Sequence, residues 1–265
     1  MTMKMVHARM ILIVNTSFIL TIPMTKSQSF RFKQFEVWHD LCAMKVGTDG
    51  VLLGAWCPFT SHSPHRILDI GTGSGLIALM LAQRLSQDNM YMIDAIDIDP
   101  NAITQAKKNF NSSPWNEHLH AHQCALQDWH PNSDLYDLIV SNPPFFVNSL
   151  KTPDAARTMA RHTDSISFEE LIYHSSQLLA DKGIFALILP YEHKQTILSL
   201  AQTHHLYLHS MTDVHTRDGV AAKRILLAFE KNVSPSIIRK DRLVLSYDGN
   251  TRSPEYANLC KEFYL

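Results

Sequence analysis

Residues 66–76 read Arg-Ile-Leu-Asp-Ile-Gly-Thr-Gly-Ser-Gly-Leu, an apolar run cut off by three glycines at alternate positions. A short apolar run that stops so abruptly reads as a buried strand, and residues 76–84 then carry apolar residues at helical spacing. A strand followed directly by a helix is the opening of a strand–helix–strand unit, the arrangement that favours parallel neighbours. The rest of the chain repeats the theme. Residues 90–98 read as a strand, and Asp99-Pro100 opens a helix through Asn111, with Asp99 as its cap and Pro100 in the first turn. Strands follow at 119–124 and at 136–140, the latter stopping at Ser141-Asn142-Pro143-Pro144. A helix is predicted over 168–180, a strand over 184–189 after Gly183, and a helix over 192–203. The last two strands, 206–214 and 223–229, have no helix between them. The pattern predicts an α/β fold: seven strands in a mostly parallel sheet, helices on both faces, and an antiparallel hairpin at one edge. No repeat or low-complexity tract interrupts it.

Such a sheet needs a large core, and 265 residues with 45% apolar and 18% charged content supply one, excluding a disordered chain or a disulfide-stapled miniprotein. Lys and Arg number 24 against 25 acids, a formal charge of -1. That balance excludes a polycation but not a local basic patch. The cysteines (42, 57, 124 and 260) form no CxxC or Cys/His pair at metal-ligand spacing, which predicts a reduced, cytoplasmic protein with no metal. Lys4 and Arg9 precede a mostly apolar run, 10–22, broken by Asn15, Thr16 and Ser17. A membrane span needs roughly 20 apolar residues, and Pro23-Met24-Thr25-Lys26 offers no small-x-small cleavage site. No membrane association is expected. Residues 1–23 are read as an extension upstream of a start at Met24; a signal or anchor and a structured arm are the alternatives. Without the extension the net charge moves from -1 to -3, since two cations and no acids are lost. One domain is expected over 24–265: an N-terminal lid and cofactor segment at 24–60, a core at 66–230 and a C-terminal extension at 231–265.

Gly71, Gly73 and Gly75 form GxGxG, because Leu76 stands where the dinucleotide fingerprint GxGxxG needs glycine. Glycine lets backbone approach a ligand without a Cβ in the way. No pyrophosphate has to be seated on the helix end, which favours S-adenosylmethionine over a nicotinamide dinucleotide. Asp69 can hold the cationic methionine part of that cofactor, directly or through water. Asp97 ends the second strand 26 residues after Gly71, near the spacing of about 20 for an acid that accepts from ribose hydroxyls.

Asn142-Pro143-Pro144-Phe145 follows the fourth strand, at the carboxyl edge where open α/β sheets bind ligands. A planar exocyclic amine is a poor nucleophile because its lone pair is delocalised into the ring. Two acceptors aimed at its N–H groups, the Asn142 side-chain oxygen and the Pro143 carbonyl, favour a pyramidal nitrogen with a free lone pair. Proline restricts the residue before it to extended conformations, so both acceptors are pre-set and the ordering cost is lower. Phe145 can stack on an extruded base. Phe146 divides evenly between base contact and packing.

This combination resembles a class I methyltransferase of the amino-group type, a Rossmann-like fold. A longer match, Phe30-Arg31-Phe32-Lys33-Gln34-Phe35, residues 44–56 (MKVGTDGVLLGAW) and the terminal Phe263-Tyr264-Leu265, is similar to the bacterial tRNA1(Val) adenine-N6-methyltransferase family over roughly residues 28–265. The resemblance implies S-adenosylmethionine-dependent methylation of N6 of the adenosine 3′ to the anticodon, in the cytoplasm. It implies that Lys45, Thr48 and Asp49 contribute to cofactor binding; their spacing alone reads as a capped helix running to Trp56. Related enzymes often carry an Asp after the third strand that bonds the cofactor adenine. Ala125 stands there, leaving Leu126, a backbone amide or Asp128 to substitute. Arg31, Lys33, Lys151, Arg157, Arg161 and His162 are the candidate phosphate contacts for the tRNA anticodon loop, whose unstacked bases flip cheaply. A monomer or weak dimer is expected. The tetrapeptide equally serves enzymes that methylate protein glutamine or ribosomal guanine, and a non-catalytic RNA-binding module is the remaining alternative. A dehydrogenase is disfavoured by Leu76 and by Pro143-Pro144.

Overall fold

The computed structural model describes residues 28–59, 64–88, 90–131, 135–144, 166–232 and 237–265. Residues 1–27, which carry the expectations about an upstream extension, lie outside the described residues. Two short strands, β1 (Ser29–Arg31) and β2 (Glu36–Trp38), pair antiparallel, and helix α1 (Thr48–Trp56) comes next. The main sheet is built from β3 (Arg66–Ile70), β4 (Met92–Asp97), β5 (Leu119–Gln123), β6 (Tyr136–Ser141), β7 (Leu179–Pro190), β8 (Leu206–Arg217), β9 (Arg224–Lys231) and β10 (Arg239–Ser246). The helices that connect or follow these strands are α2 (Leu76–Arg84), α3 (Pro100–Asn111), α4 (Phe168–Leu178), α5 (Lys194–Thr203) and α6 (Pro254–Leu259).

The strand order is β5-β4-β3-β6-β7-β9-β8-β10. The first five strands are mutually parallel, β9 runs against β7 and β8, and β10 runs parallel with β8. The sheet has eight strands, one more than expected, because β10 adds outside the β8–β9 hairpin. Leu243 and Val244 are its buried anchor, while Arg239–Arg242 lie exposed, so it carries no apolar alternation to betray it. The segment 231–265 is thus woven into the domain: Phe263 and Cys260 are buried in the same core as α1 and α2. Helix α4 ends at Leu178 and β7 begins at once, with an irregular register between the pairs Tyr136–Leu179 and Leu138–Ile184 that takes up residues 180–183.

Strand alternation sorts the core into two layers. Ile67, Ile93, Leu138 and Val140 face α1, α2 and α3, whereas Leu68, Ile96, Ile139 and Leu187 face α4 and α5. Asp99 caps α3 by accepting from the Asn101 N–H at 2.9 Å, with Pro100 at the first turn. Helix α1 spans the expected residues, but Gly47 occupies its cap and offers no side-chain bond, so Thr48 and Asp49 are its first helical residues rather than its caps. The carboxyl ends of β3, β4, β5, β6 and β7 share one edge of the sheet, and the site lies there.

Candidate functional site

A cleft of about 290 Å³ runs along that edge, lined by Gly71 and Gly73 after β3, Asp97 to Asp99 after β4, Cys124, Leu126 and Gln127 after β5, and Asn142 and Pro144 after β6. Cys42, Ala43 and Met44, ahead of α1 in the chain, line it as well. Gly71 and Gly73 hold φ of +70° and +55°, where side chains are strained, and a Cβ on either would meet no protein atom within 4 Å. The space beside them is open and leaves room for a ligand. Gly75 is glycine for another reason: a Cβ there would overlap the Phe110 ring of α3.

Two carboxylates hold the turn. Asp97 spans two backbone donors, accepting from Gly73 N–H at 2.9 Å with Oδ2 and from Asp99 N–H at 3.0 Å with Oδ1. Asp69 is fully buried beneath the turn, where its Oδ2 accepts from the Thr72 hydroxyl at 2.7 Å and from Ala78 N–H at 3.3 Å. Its Oδ1 is buried without a partner. Burial pushes the Asp69 carboxyl up to about 7, against the two bonds that favour its charged form. The Ser141 hydroxyl donates to Ile70 carbonyl at 3.0 Å and locks the end of β6 to the end of β3. One residue on, Asn142 Oδ1 is also buried, with no partner among the described residues. A buried acceptor left unpaired costs about 1–3 kcal/mol, so an incoming donor would be favourable at either oxygen.

Gly71, Gly73, Asp97, Leu126, Asn142 and Pro144 thus come together on one cleft, while Asp69 and Pro143 are buried and are not among its lining residues. Lys45, Thr48, Asp49 and Ala125 are not among its lining residues. Thr48 and Asp49 instead border a second cavity of about 300 Å³, where Asp49 Oδ2 accepts from Arg224 Nε at 2.7 Å. Lys33 is held elsewhere: its N–H donates to Phe263 carbonyl at 2.8 Å, and its ammonium is bonded to the Lys261 carbonyl. Phe32 stacks on Phe35 at 4.6 Å and on Tyr264 at 6.1 Å, so the aromatic stretch around exposed Arg31 packs against the C-terminal residues. Phe145, Phe146, Lys151, Arg157, Arg161 and His162 lie outside the described residues. Sequence reasoning missed Cys42–Met44, Ile98, Cys124 and Gln127. Ile98 and Cys124 directly follow the ends of β4 and β5, a signal that could have found them. Burial, aided by Asp97 and Asp99, pushes the Cys42 thiol up to about 11, so it stays protonated and inert at neutral pH. Among the described residues no His, Cys, Asp and Glu side chains converge to hold a metal, and no helix is long and apolar enough to cross a membrane.

A family model described as "Methyltransferase small domain" matches residues 57–204. The chain is 47% identical over 238 residues to a protein of Phocaeicola vulgatus named tRNA1(Val) (adenine(37)-N6)-methyltransferase, a match covering 89% of this chain and 97% of that protein. A Flavobacterium johnsoniae protein of the same name is 46% identical over 89% of this chain and 99% of its own length. Among solved structures, a predicted O-methyltransferase from Agrobacterium tumefaciens superposes with a TM-score of 0.62 at 17% identity, covering 81% of this chain and 96% of that one. The type I restriction-modification system methyltransferase subunit from Streptococcus thermophilus superposes with a TM-score of 0.53 at 17% identity, over 72% of this chain and 46% of its own. These two likenesses concern the fold.

Proposed function

Because the chain belongs to the tRNA1(Val) (adenine(37)-N6)-methyltransferase family, we propose that it transfers a methyl group from S-adenosylmethionine to N6 of adenosine 37 of tRNA1(Val). The observation that carries this reading is Asn142 Oδ1, a buried acceptor with no partner among the described residues, on the same cleft as the open glycine cradle.

The cleft fits the cofactor. Gly71 and Gly73 leave room for it, Asp97 lines the cleft and would accept from ribose hydroxyls, and the Asp69 carboxyl beneath the turn keeps one oxygen with no partner among the described residues. Leu126, Ile98 and Met44 supply apolar surface for a purine, and Gln127 is the one lining residue of the loop after β5 with a side-chain amide to meet its polar edge. Bound S-adenosylmethionine supplies an electrophilic methyl group on a sulfonium, which departs as a neutral thioether.

The protein's own part is to make the adenine amine a nucleophile. Asn142 Oδ1 and the Pro143 carbonyl each accept one N–H, so the nitrogen lone pair is directed out of the ring plane toward the methyl carbon. Pro143 and Pro144 pre-set that geometry, and the Ser141–Ile70 bond holds the tetrapeptide beside the glycine turn. No strong base is required, since the nitrogen proton becomes acidic once the N–C bond has formed and then passes to water. Asp69 is unsuited to the role, tied beneath the turn by Thr72 and Ala78. Lys151, Arg157, Arg161 and His162, just after the tetrapeptide in sequence, are the backbone contacts this reading favours. The enzyme works in the cytoplasm, as a monomer or weak dimer. Incubating unmodified total tRNA with labelled cofactor and analysing nucleosides tests the whole reading. N6-methyladenosine at position 37 is expected, and label only in another nucleoside, or only in protein, overturns it.

A further inference from the structure

The wall formed by Cys42, Ala43 and Met44 belongs to no helix or strand, so something outside it must hold it against the cleft. Two amide side chains one turn apart on α3, Gln105 and Asn109, do so; they are 0% and 1% exposed. Asn109 Oδ1 accepts from Trp38 N–H at 3.0 Å. Its Nδ2 donates to the Trp38 carbonyl and to the Ser74 carbonyl, both at 2.8 Å. One amide therefore spends its acceptor and both donors on two separate segments, the strap at 38–44 and the glycine turn. Gln105 Oε1 accepts from Leu41 N–H at 3.1 Å, three residues further along the strap. Its Nε2 is buried with no partner among the described residues, so this second rung is the weaker one.

We propose that Asn109, seconded by Gln105, is a positioning residue for the methyl donor: it fixes the distance between the glycine turn and the strap whose residues also line the cleft. The inference rests on the reading above that this cleft takes S-adenosylmethionine. Asn109 is not among the residues lining the cleft and acts through Ser74 and the strap. Only a neutral amide completes the arrangement, because Asp would face two carbonyls with a carboxylate and Leu would leave the Ser74 carbonyl and both Trp38 backbone groups without this partner. A strap released from α3 still reaches the bound arrangement part of the time, and the apparent affinity falls by that fraction. A purely structural role would lower the amount of folded protein without changing the affinity of what remains.

The test is calorimetry of the full-length protein with S-adenosylmethionine, alongside melting temperature and steady-state kinetics on tRNA. Asn109→Asp is expected to raise the cofactor Kd and KM about tenfold, with kcat at saturating cofactor within about twofold. Gln105→Leu moves Kd the same way by about threefold, and Ile103→Val, a buried change on the same helix that touches neither clamp, leaves it unchanged. Wild-type Kd in Asn109→Asp, or a fall in kcat at unchanged KM, overturns the inference. Should Asn109→Asp fail to fold, unchanged affinity in Gln105→Leu does so by itself. Wild-type protein that does not bind the cofactor overturns the functional reading and this inference together, whereas wild-type binding with unaltered variants removes this inference alone.

Discussion

The glycine turn before α2 and the corner at the start of α1 lie on the same edge of the sheet, and each opens a nine-residue helix that has no side-chain cap. Each also carries an aspartate at or near the helix start. At the turn, Asp69 keeps one buried oxygen without a partner, a Cβ on Gly71 or Gly73 would point into open space, and Asn142 Oδ1 nearby is unpaired. At the corner, the Arg224 guanidinium already occupies the Asp49 carboxylate at 2.7 Å, and Arg224 itself sits opposite Pro190 at the end of β7. Folding has satisfied the corner from within the chain, and under the function proposed above the glycine turn is left for an incoming molecule. Unpaired buried polar groups are costly in native structures, but Gln105 Nε2 is another among the described residues, so an unpaired atom points to a ligand only where, as at Asn142, it belongs to a residue that lines the cleft.

If that division is right, the largest loss comes from removing an orphaned acceptor at the reacting centre. Asn142→Ala should lower turnover about 10²–10³-fold, the range seen when one preorganised group aimed at a reacting atom is deleted. Cofactor affinity should stay within about threefold, because the amide is aimed at the amine rather than at the donor. Single-turnover methylation of tRNA and calorimetry read the two quantities separately. Near-normal turnover would mean that the unpaired oxygen is incidental, and the contrast between the two helix starts would lose its meaning.

Asp69 sharpens the comparison through pH. Its carboxyl titrates near 7 in the folded protein because burial disfavours the charge, against 3.8 for an ordinary aspartate. The folded state therefore holds a proton that the unfolded chain has released, and stability falls as pH rises from about 4 to about 7, levelling off above. At about 1.4 kcal/mol for each tenfold change in proton concentration, the effect is at most about 4 kcal/mol. Asp69→Asn should flatten this decline in a series of melting temperatures from pH 4 to 8. A variant that keeps the wild-type slope would show that the burial of Asp69 is matched by compensation elsewhere.

A smaller loss is expected at Asp97, which is paired yet exposed to the cleft. Asp97→Ala removes the acceptor of Gly73 N–H and Asp99 N–H as well as any ribose contact. Charged hydrogen bonds of this kind are worth about 1.5–3 kcal/mol, so cofactor Kd should rise about 10- to 100-fold while kcat at saturation changes little. Unaltered affinity would confine Asp97 to holding the turn.

How much of the molecule is legible in the chain alone depends on the range of the interactions involved. The strand, glycine turn and helix at 66–84, and the Asp99-Pro100 helix start, are decided within a few residues, and their local chemistry is explicit. Strand β10 was hidden because its first four residues are charged and exposed, and only pairing with β8 makes it a strand. The cleft wall at Cys42–Met44 was hidden for a similar reason: its anchors, Gln105 and Asn109, lie 64 and 71 residues away from the peptide groups that they bind. Thr48-Asp49 looked like a cap and, by resemblance, like a cofactor contact. Its actual partner, Arg224, is 175 residues further on, beyond the reach of any spacing argument.

That pair provides the smallest effect and the one most specific to the comparison. Asp49 and Arg224 side chains are 25% and 35% exposed, so solvent screens them and the bond should contribute at most about 1 kcal/mol to stability. Asp49→Ala and Arg224→Ala should each lower the melting temperature slightly, and the double variant should lose no more than the larger single loss if the two act only through each other. Cofactor Kd should remain within about twofold throughout, because the carboxylate is engaged within the fold and is not among the cleft's lining residues. A rise in Kd of about tenfold in Asp49→Ala alone would show that the corner opens when the cofactor binds, with Asp49 exchanging Arg224 for the ligand. In that event pairing in the ligand-free fold would no longer distinguish a structural residue from a binding one, and the rule drawn from the two helix starts would hold only for groups buried as deeply as Asp69 and Asn142 Oδ1.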